Sequence, residues 1–242
     1  MPVEYSQLLE SSKQTQGFRT TIAFAEAEIA IDGFSGPRNS DMVVVGEAKE
    51  GRVCLAVEAK ADETFAKTIK DELLGLSEAS NKPNRISNLA NAIFQRDLDE
   101  HVMTIRYQLL HSLAATAIES RRQNARLGVL LIHEFISLNL DFEKVARNAF
   151  DLKTFAKTIP GWENESVATG KLLPPITLRG NQYVPSDRLV TIGKIRTLIP
   201  LDADEREKVR AGYDTTSRQF VDGVSKRRRR ASVAAVENGG AQ

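Results

Sequence analysis

Two apolar, β-branched runs at 42–45 and 53–57 are separated by Gly46, Glu47, Lys49, Glu50 and Gly51, and no other stretch constrains the fold as tightly. Short runs of this kind around turn residues predict a β-hairpin. With the turn centred between Lys49 and Glu50, Asp41 falls opposite Glu58. Opposed like charges destabilise a sheet, so the pair calls for a cation or a protonation shift, and a divalent metal is the first candidate. The side-chain period of a strand is two, so Glu58 and Lys60 project to one face and Ala59 to the other.

Around the hairpin the periodicity changes. Residues 18–31 mix alanines with apolar side chains at helical spacing, which predicts a helix with Ile22, Ala25, Glu26 and Ile29 on one stripe. Glu26 then sits on the buried-facing side, against a plain rim residue, with Glu28 a close rival if the helix is turned slightly. Gly33, Gly36 and Pro37 end that helix and lead into a strand starting at Asp41. Downstream, 64–77 reads as a helix, Lys82-Pro83-Asn84 as a loop before a short helix, and 102–123 as the longest helix, with an arginine-rich end that suits its dipole. The run LGVLLIHEF at 127–135 is expected to be a central strand covered on both faces, and 142–158 returns to helical spacing. Past Pro160 only 176–179 and 189–199 read as strands, a terminal hairpin or an added sheet edge. A polar helix is expected at 202–221, and the end, KRRRRASVAAVENGGAQ, has no periodic apolar face and is expected to be disordered. The expected class is α/β, a mixed central β-sheet flanked by helices. Its core spans 1–160, a C-terminal β/α extension over 161–222 packs on that core, and a disordered basic tail follows over 223–242.

Composition narrows the chemistry by exclusion. The formal net charge is +1, so no global field argues for a nucleic-acid partner. The lone cysteine, Cys54, lies in an apolar strand and reads as a buried structural thiol of a reducing, cytoplasmic compartment. No apolar run approaches the roughly 20 residues that span a bilayer, so no membrane partner is expected. His111 and His133 lack metal-ligand spacing with each other or with Cys54 and read as structural. No GxSxG, HExxH, GxGxxG or P-loop pattern is present.

The order of elements, a helix with a glutamate, a hairpin with Asp41 and Glu58-Ala59-Lys60, a long helix, a buried strand and a helix, resembles the PD-(D/E)xK nuclease superfamily over residues 18–140. The Leu-Ala-Val lead into Glu-Ala-Lys belongs to the match; a proline before Asp41, common in that superfamily, is absent. The resemblance implies a restriction-endonuclease-like core and a metal-dependent nuclease, an endonuclease hydrolysing phosphodiester bonds with Mg²⁺ or Mn²⁺. Asp41, Glu58 and the Ala59 carbonyl would be the metal ligands, and Lys60 would orient or help activate the attacking water. Two carboxylates suit a hard cation that polarises a phosphate and acidifies a bound water. Glu26 would add a ligand through water. Helices after this motif in similar nucleases bring a glutamine or arginine to the site, which points to Gln108, against a plain solvated helix face.

A second Glu-Ala-Lys, Glu47-Ala48-Lys49, falls in the expected turn, too close to Asp41 for an opposing strand, and reads as solvated. The expected partner is nucleic acid, DNA first, and a homodimer stays open. The basic run 226–230 could contact phosphates or simply be solvated. Two rivals accompany the nuclease: a catalytically silent protein of nuclease fold that binds nucleic acid or another protein, and a protein acting on a small phosphorylated molecule.

Overall fold

The computed structural model describes residues 2–34, 36–137 and 140–199, together with Asp204, Glu207 and Ala211. The hairpin is the fold's starting point. Strand β2 (Arg38–Ala48) turns at Lys49 and Glu50 into β3 (Gly51–Lys60), and the antiparallel register runs from Ala48↔Gly51 to Met42↔Val57. That is the register the turn position dictates.

Upstream the chain is a strand, β1 (Arg19–Ile29), antiparallel to β2, where sequence periodicity predicts a helix over 18–31. The physical reason is visible in its burial. As an edge strand β1 is exposed along both faces, with Ile22 45% and Phe24 37% exposed, so no period-two burial marks its sequence. Pairing with β2 overrides the helical preference of its alanines and glutamates. The helix that precedes the sheet is instead α1 (Val3–Glu10), in a segment whose sequence is weakly patterned.

Beyond the hairpin come α2 (Ile69–Leu73), α3 (Lys82–Phe94), α4 (Glu100–Met103) and α5 (Tyr107–Arg122). Lys82 and Pro83 open α3 rather than forming a loop, since proline suits a first helical turn, where its missing N–H leaves no bond unmade. The single helix expected over 102–123 is two, broken around Ile105. Next are β4 (Leu127–Ile136), α6 (Phe142–Thr158), β5 (Lys171–Leu172), β6 (Ile176–Thr177) and β7 (Leu189–Leu198). The sheet order is β1-β2-β3-β4-β7-β5, with β6 also on β7. It is mixed: β3, β4 and β7 are mutually parallel, and the other pairings are antiparallel.

The result is an α/β fold, an open seven-stranded sheet flanked by helices. On one face, Tyr5, Leu8 and Leu9 of α1 pack on Val44, Leu55, Val57, Val129 and Leu131. On the other, α3, α5 and α6 cover Val43, Val45, Cys54, Leu130 and Ile132. Leu109, Leu110 and Leu113 of α5 are fully buried there, and each contributes about 1.5–3 kcal/mol. Helix α5 lies so close to β4 that a Cβ on Gly128 would meet Thr116 O at 3.1 Å and Ser120 Cβ at 3.2 Å.

The C-terminal extension forms one side of the sheet: β6 pairs antiparallel with β7 as a terminal hairpin, and β5 ends the strand order. Strand β7 is internal, and Leu173, Val184, Val190 and Ile192 join the same core as Leu109, with Trp162 anchored by a 2.7 Å bond from Nε1 to the Pro174 carbonyl. Asp204, Glu207 and Ala211 are helical; the rest of the expected 202–221 helix and the 223–242 tail lie outside the described residues. Among the described residues no helix is long and apolar enough to cross a membrane.

Candidate functional site

Where β3 ends, pleat parity sends Glu58 and Lys60 to the face covered by α5, and both are buried, at 3% and 5% exposure. Burial of two charges is tolerable only if they are paired, and each is. Lys60 Nζ lies 3.1 Å from Glu58 Oε1 and 3.1 Å from Glu63 Oε1, and 5.5 Å from the Phe65 ring centroid. Gln108 Nε2 also donates to Glu58 Oε1, and Arg38 Nη2 pairs with Glu58 Oε2. Ser112 Oγ stands 3.4 Å from Oε2 while giving its proton to the Gln108 carbonyl at 2.6 Å.

Helix α5 supplies this wall because Gln108, His111 and Ser112 are spaced three and four apart, which puts them on one helical face. Its N-terminal turn faces the end of β3. Gln108 Oε1 and His111 Nδ1 are buried without a hydrogen-bond partner. Burial first, then the cations Arg38, Arg85, Lys60 and Lys82, hold the His111 pKa well below its usual value, so the ring is neutral.

The remaining sequence candidates lie apart from this cluster. The ladder between β2 and β3 ends at Met42↔Val57, one position short of Asp41 and Glu58. Asp41 is exposed, and its Oδ2 accepts the Ala59 N–H at 2.7 Å, so it caps the end of β3. Glu26 is on β1 with φ 47°, exposed, and not on a helix; Glu28, its rival, is on the same strand. The pairs Ala25↔Met42 and Ala27↔Ser40 bracket Glu26 and Asp41. Gln108 is at Glu58 and Lys60 beside it, so three of the five side chains singled out come together.

These residues, as arranged, do not fit a divalent cation. Each Glu58 oxygen is taken by a cationic or amide donor, Asp41 is turned to a backbone amide, and no group of three or more His, Cys, Asp or Glu among the described residues is arranged to hold a metal.

Sequence reasoning missed Arg38, Ser112 and Glu63, and also a second buried acid. Glu134 of β4, 2% exposed, is Lys60's neighbour in the parallel ladder and pairs with Arg196 at 2.8 Å and Lys194 at 3.8 Å. A charged residue inside the otherwise apolar LGVLLIHEF run was the available signal for Glu134. No spacing announces Arg38, since only the folded chain carries its long side chain to Glu58.

Next to Arg38 opens a cleft of about 460 Å³ lined by Ile31, Pro37, Arg38, Lys82, Arg85, Tyr107 and His111 among others. Elsewhere the polar groups read as architecture. His133 is fixed between Tyr5 Oη at 3.1 Å and Thr197 Oγ1 at 2.9 Å, and burial pushes the Cys54 thiol up to about 12, keeping it protonated.

No curated protein and no solved structure matches this chain. A family model described as a domain of unknown function, DUF6946, matches residues 1–197, and the chain therefore belongs to that family.

Proposed function

We propose that the protein binds nucleic acid, DNA first, at the end of the sheet where β3 carries Glu58 and Lys60, and that the arrangement described is a binding centre. The observation that carries this reading is the cleft beside Glu58, fronted by Arg38, Lys82 and Arg85, with Arg38 held to Glu58 through one nitrogen. Cationic and hydrogen-bonding side chains are what phosphate groups of a nucleic-acid backbone require. The resemblance to PD-(D/E)xK nucleases, kept in the hairpin and in the helical crossover between parallel β3 and β4 though not in the helix expected upstream, supports the same substrate class. The buried lone thiol supports a reducing, cytoplasmic setting.

A second reading, metal-dependent phosphodiester hydrolysis with Mg²⁺ or Mn²⁺, is favoured by one observation. The hairpin register runs Asp41 toward Glu58, with Lys60 Nζ 3.1 Å from the Glu58 carboxylate. It requires Arg38 to leave Glu58 and Asp41 to leave the Ala59 amide.

The test is an assay of labelled DNA and RNA for binding and for cutting, with Mg²⁺, Mn²⁺ or chelator, on the wild type and Lys60→Ala. Binding without cutting is the expected result. Cutting that needs the metal and vanishes in Lys60→Ala would replace the first reading by the second, and neither binding nor cutting would end both.

A further inference from the structure

The three cationic side chains fronting the cleft are already held by carboxylates, but not equally. Arg85 is clamped: its Nε and Nη2 lie 2.5 and 2.9 Å from the two Asp32 oxygens, and Nη2 reaches the Phe34 carbonyl at 3.4 Å. Lys82 is 2.6 Å from Glu72 and more exposed. Arg38 touches Glu58 through Nη2 alone, so a guanidinium with five N–H groups engages its partner at one point. A phosphate presents two oxygens that match both arms of the arginine fork, which a one-point contact does not.

The rest of the cleft suits the same guest. Its volume falls within the range of about 300–1,000 Å³ found for small-molecule sites. Ile31, Pro37 and the Tyr107 ring, set edge-on to His111 at 4.7 Å, give an apolar wall on which a planar base can rest. The positive field that helps keep a proton off His111 favours an anion there. His111 Nδ1, buried and unpartnered, leaves hydrogen-bonding capacity on this wall unused.

We infer that the cleft is a subsite for a nucleotide-sized phosphate ester, and that Arg38 is shared between this ligand and Glu58. An arriving phosphate takes the Arg38 fork, and Glu58 Oε2 is released. Ligand binding and the state of the Glu58–Lys60 centre are thereby coupled through one side chain. The inference rests on the nucleic-acid reading for the identity of the ester as a nucleotide; the shared arginine rests on the geometry of the cleft.

The experiment is calorimetric titration of the full chain with thymidine 5′-monophosphate, thymidine and inorganic phosphate, repeated on Arg38→Gln, Glu58→Gln and Lys82→Gln. The monophosphate is expected to bind at least about tenfold more tightly than thymidine. Arg38→Gln should weaken it about tenfold, and Glu58→Gln should strengthen it by a similar factor because Arg38 loses its internal competitor. Opposite signs from the two halves of one ion pair are not what general destabilisation produces. Lys82→Gln, at the more exposed rim, should weaken binding without disturbing the buried pair.

Equal binding of thymidine and its monophosphate would overturn the subsite, and loss of affinity in Glu58→Gln would overturn the shared arginine. A labelled oligonucleotide that binds while the monophosphate does not would end this inference and leave the nucleic-acid reading standing. The reverse pattern would end that reading and support the cleft.

Discussion

The hairpin contains Glu-Ala-Lys twice, and the two copies have opposite fates. Glu58 and Lys60 are buried under α5 and paired with Arg38, Gln108 and Glu63, whereas Glu47 is an exposed residue of β2 whose carboxylate meets Arg52 at 2.9 Å, and Lys49 sits in the turn. One tripeptide, two chemistries: the difference lies in what covers the strand. At the turn end of the hairpin water screens each charge, and at the other end a helix removes the water and forces every charge to find a protein partner.

The sharpest way to break this comparison is to delete the acid of each copy. Glu58→Ala should cost about 3–5 kcal/mol in urea denaturation, because it strips the largely buried Arg38 side chain of its carboxylate and leaves buried Lys60 only the exposed Glu63. A loss no larger than that of an exposed pair would mean that water reaches the centre. An acid titration of stability sharpens the contrast next, because only the buried copy has a neutral histidine beside it. His111 has a folded pKa below its unfolded value, so at acid pH the unfolded chain binds the extra proton. Stability should therefore be fully present above about pH 6.5 and fall on acidification, by up to about 1.4 kcal/mol per pH unit for each such group. His133, whose pKa burial also lowers, contributes in the same direction, so the slope should become shallower but not vanish in His111→Gln.

Cys54, on the β3 run between the two copies, gives a probe of intermediate reach. With its thiol pushed up to about 12 and buried, it should stay unlabelled by a thiol reagent at pH 8 until the protein is unfolded. The smallest effect belongs to the exposed copy: Glu47→Ala should change stability by less than about 0.5 kcal/mol and leave nucleotide binding unaltered. A larger change would return the turn copy to consideration.

What the sequence revealed follows the same division. The hairpin register was legible because two β-branched runs flank a short turn, and β4 and α6 because one is a nearly continuous apolar run and the other keeps a clean helical period. Gln108 came from the resemblance, in which the helix after the motif brings a glutamine or arginine to the site, and not from any pattern of its own. Strand β1 was not, because an edge strand with neither face covered carries no alternation, and its alanines and glutamates speak for a helix. The role of Arg38 was hidden for another reason: its pairing with Glu58 spans twenty residues and depends on where a long side chain ends, which no local pattern encodes. Asp41, expected beside Glu58, lies one position past the end of the ladder, and its carboxylate accepts the Ala59 amide instead.

Gly128 gives the centre a mechanical dependence that none of its own residues reveals. The glycine lets α5 rest against β4 with Thr116 O only 3.1 Å from where a Cβ would stand, so it sets the standoff height of the helix over the sheet. Gln108 and Ser112 hang from that same helix, and their reach to Glu58 is fixed by this clearance as a lens is by its mount. A single methyl at Gly128 acts as a shim of a few tenths of an ångström, and a hydrogen-bonded centre that never touches position 128 is the instrument that goes out of focus.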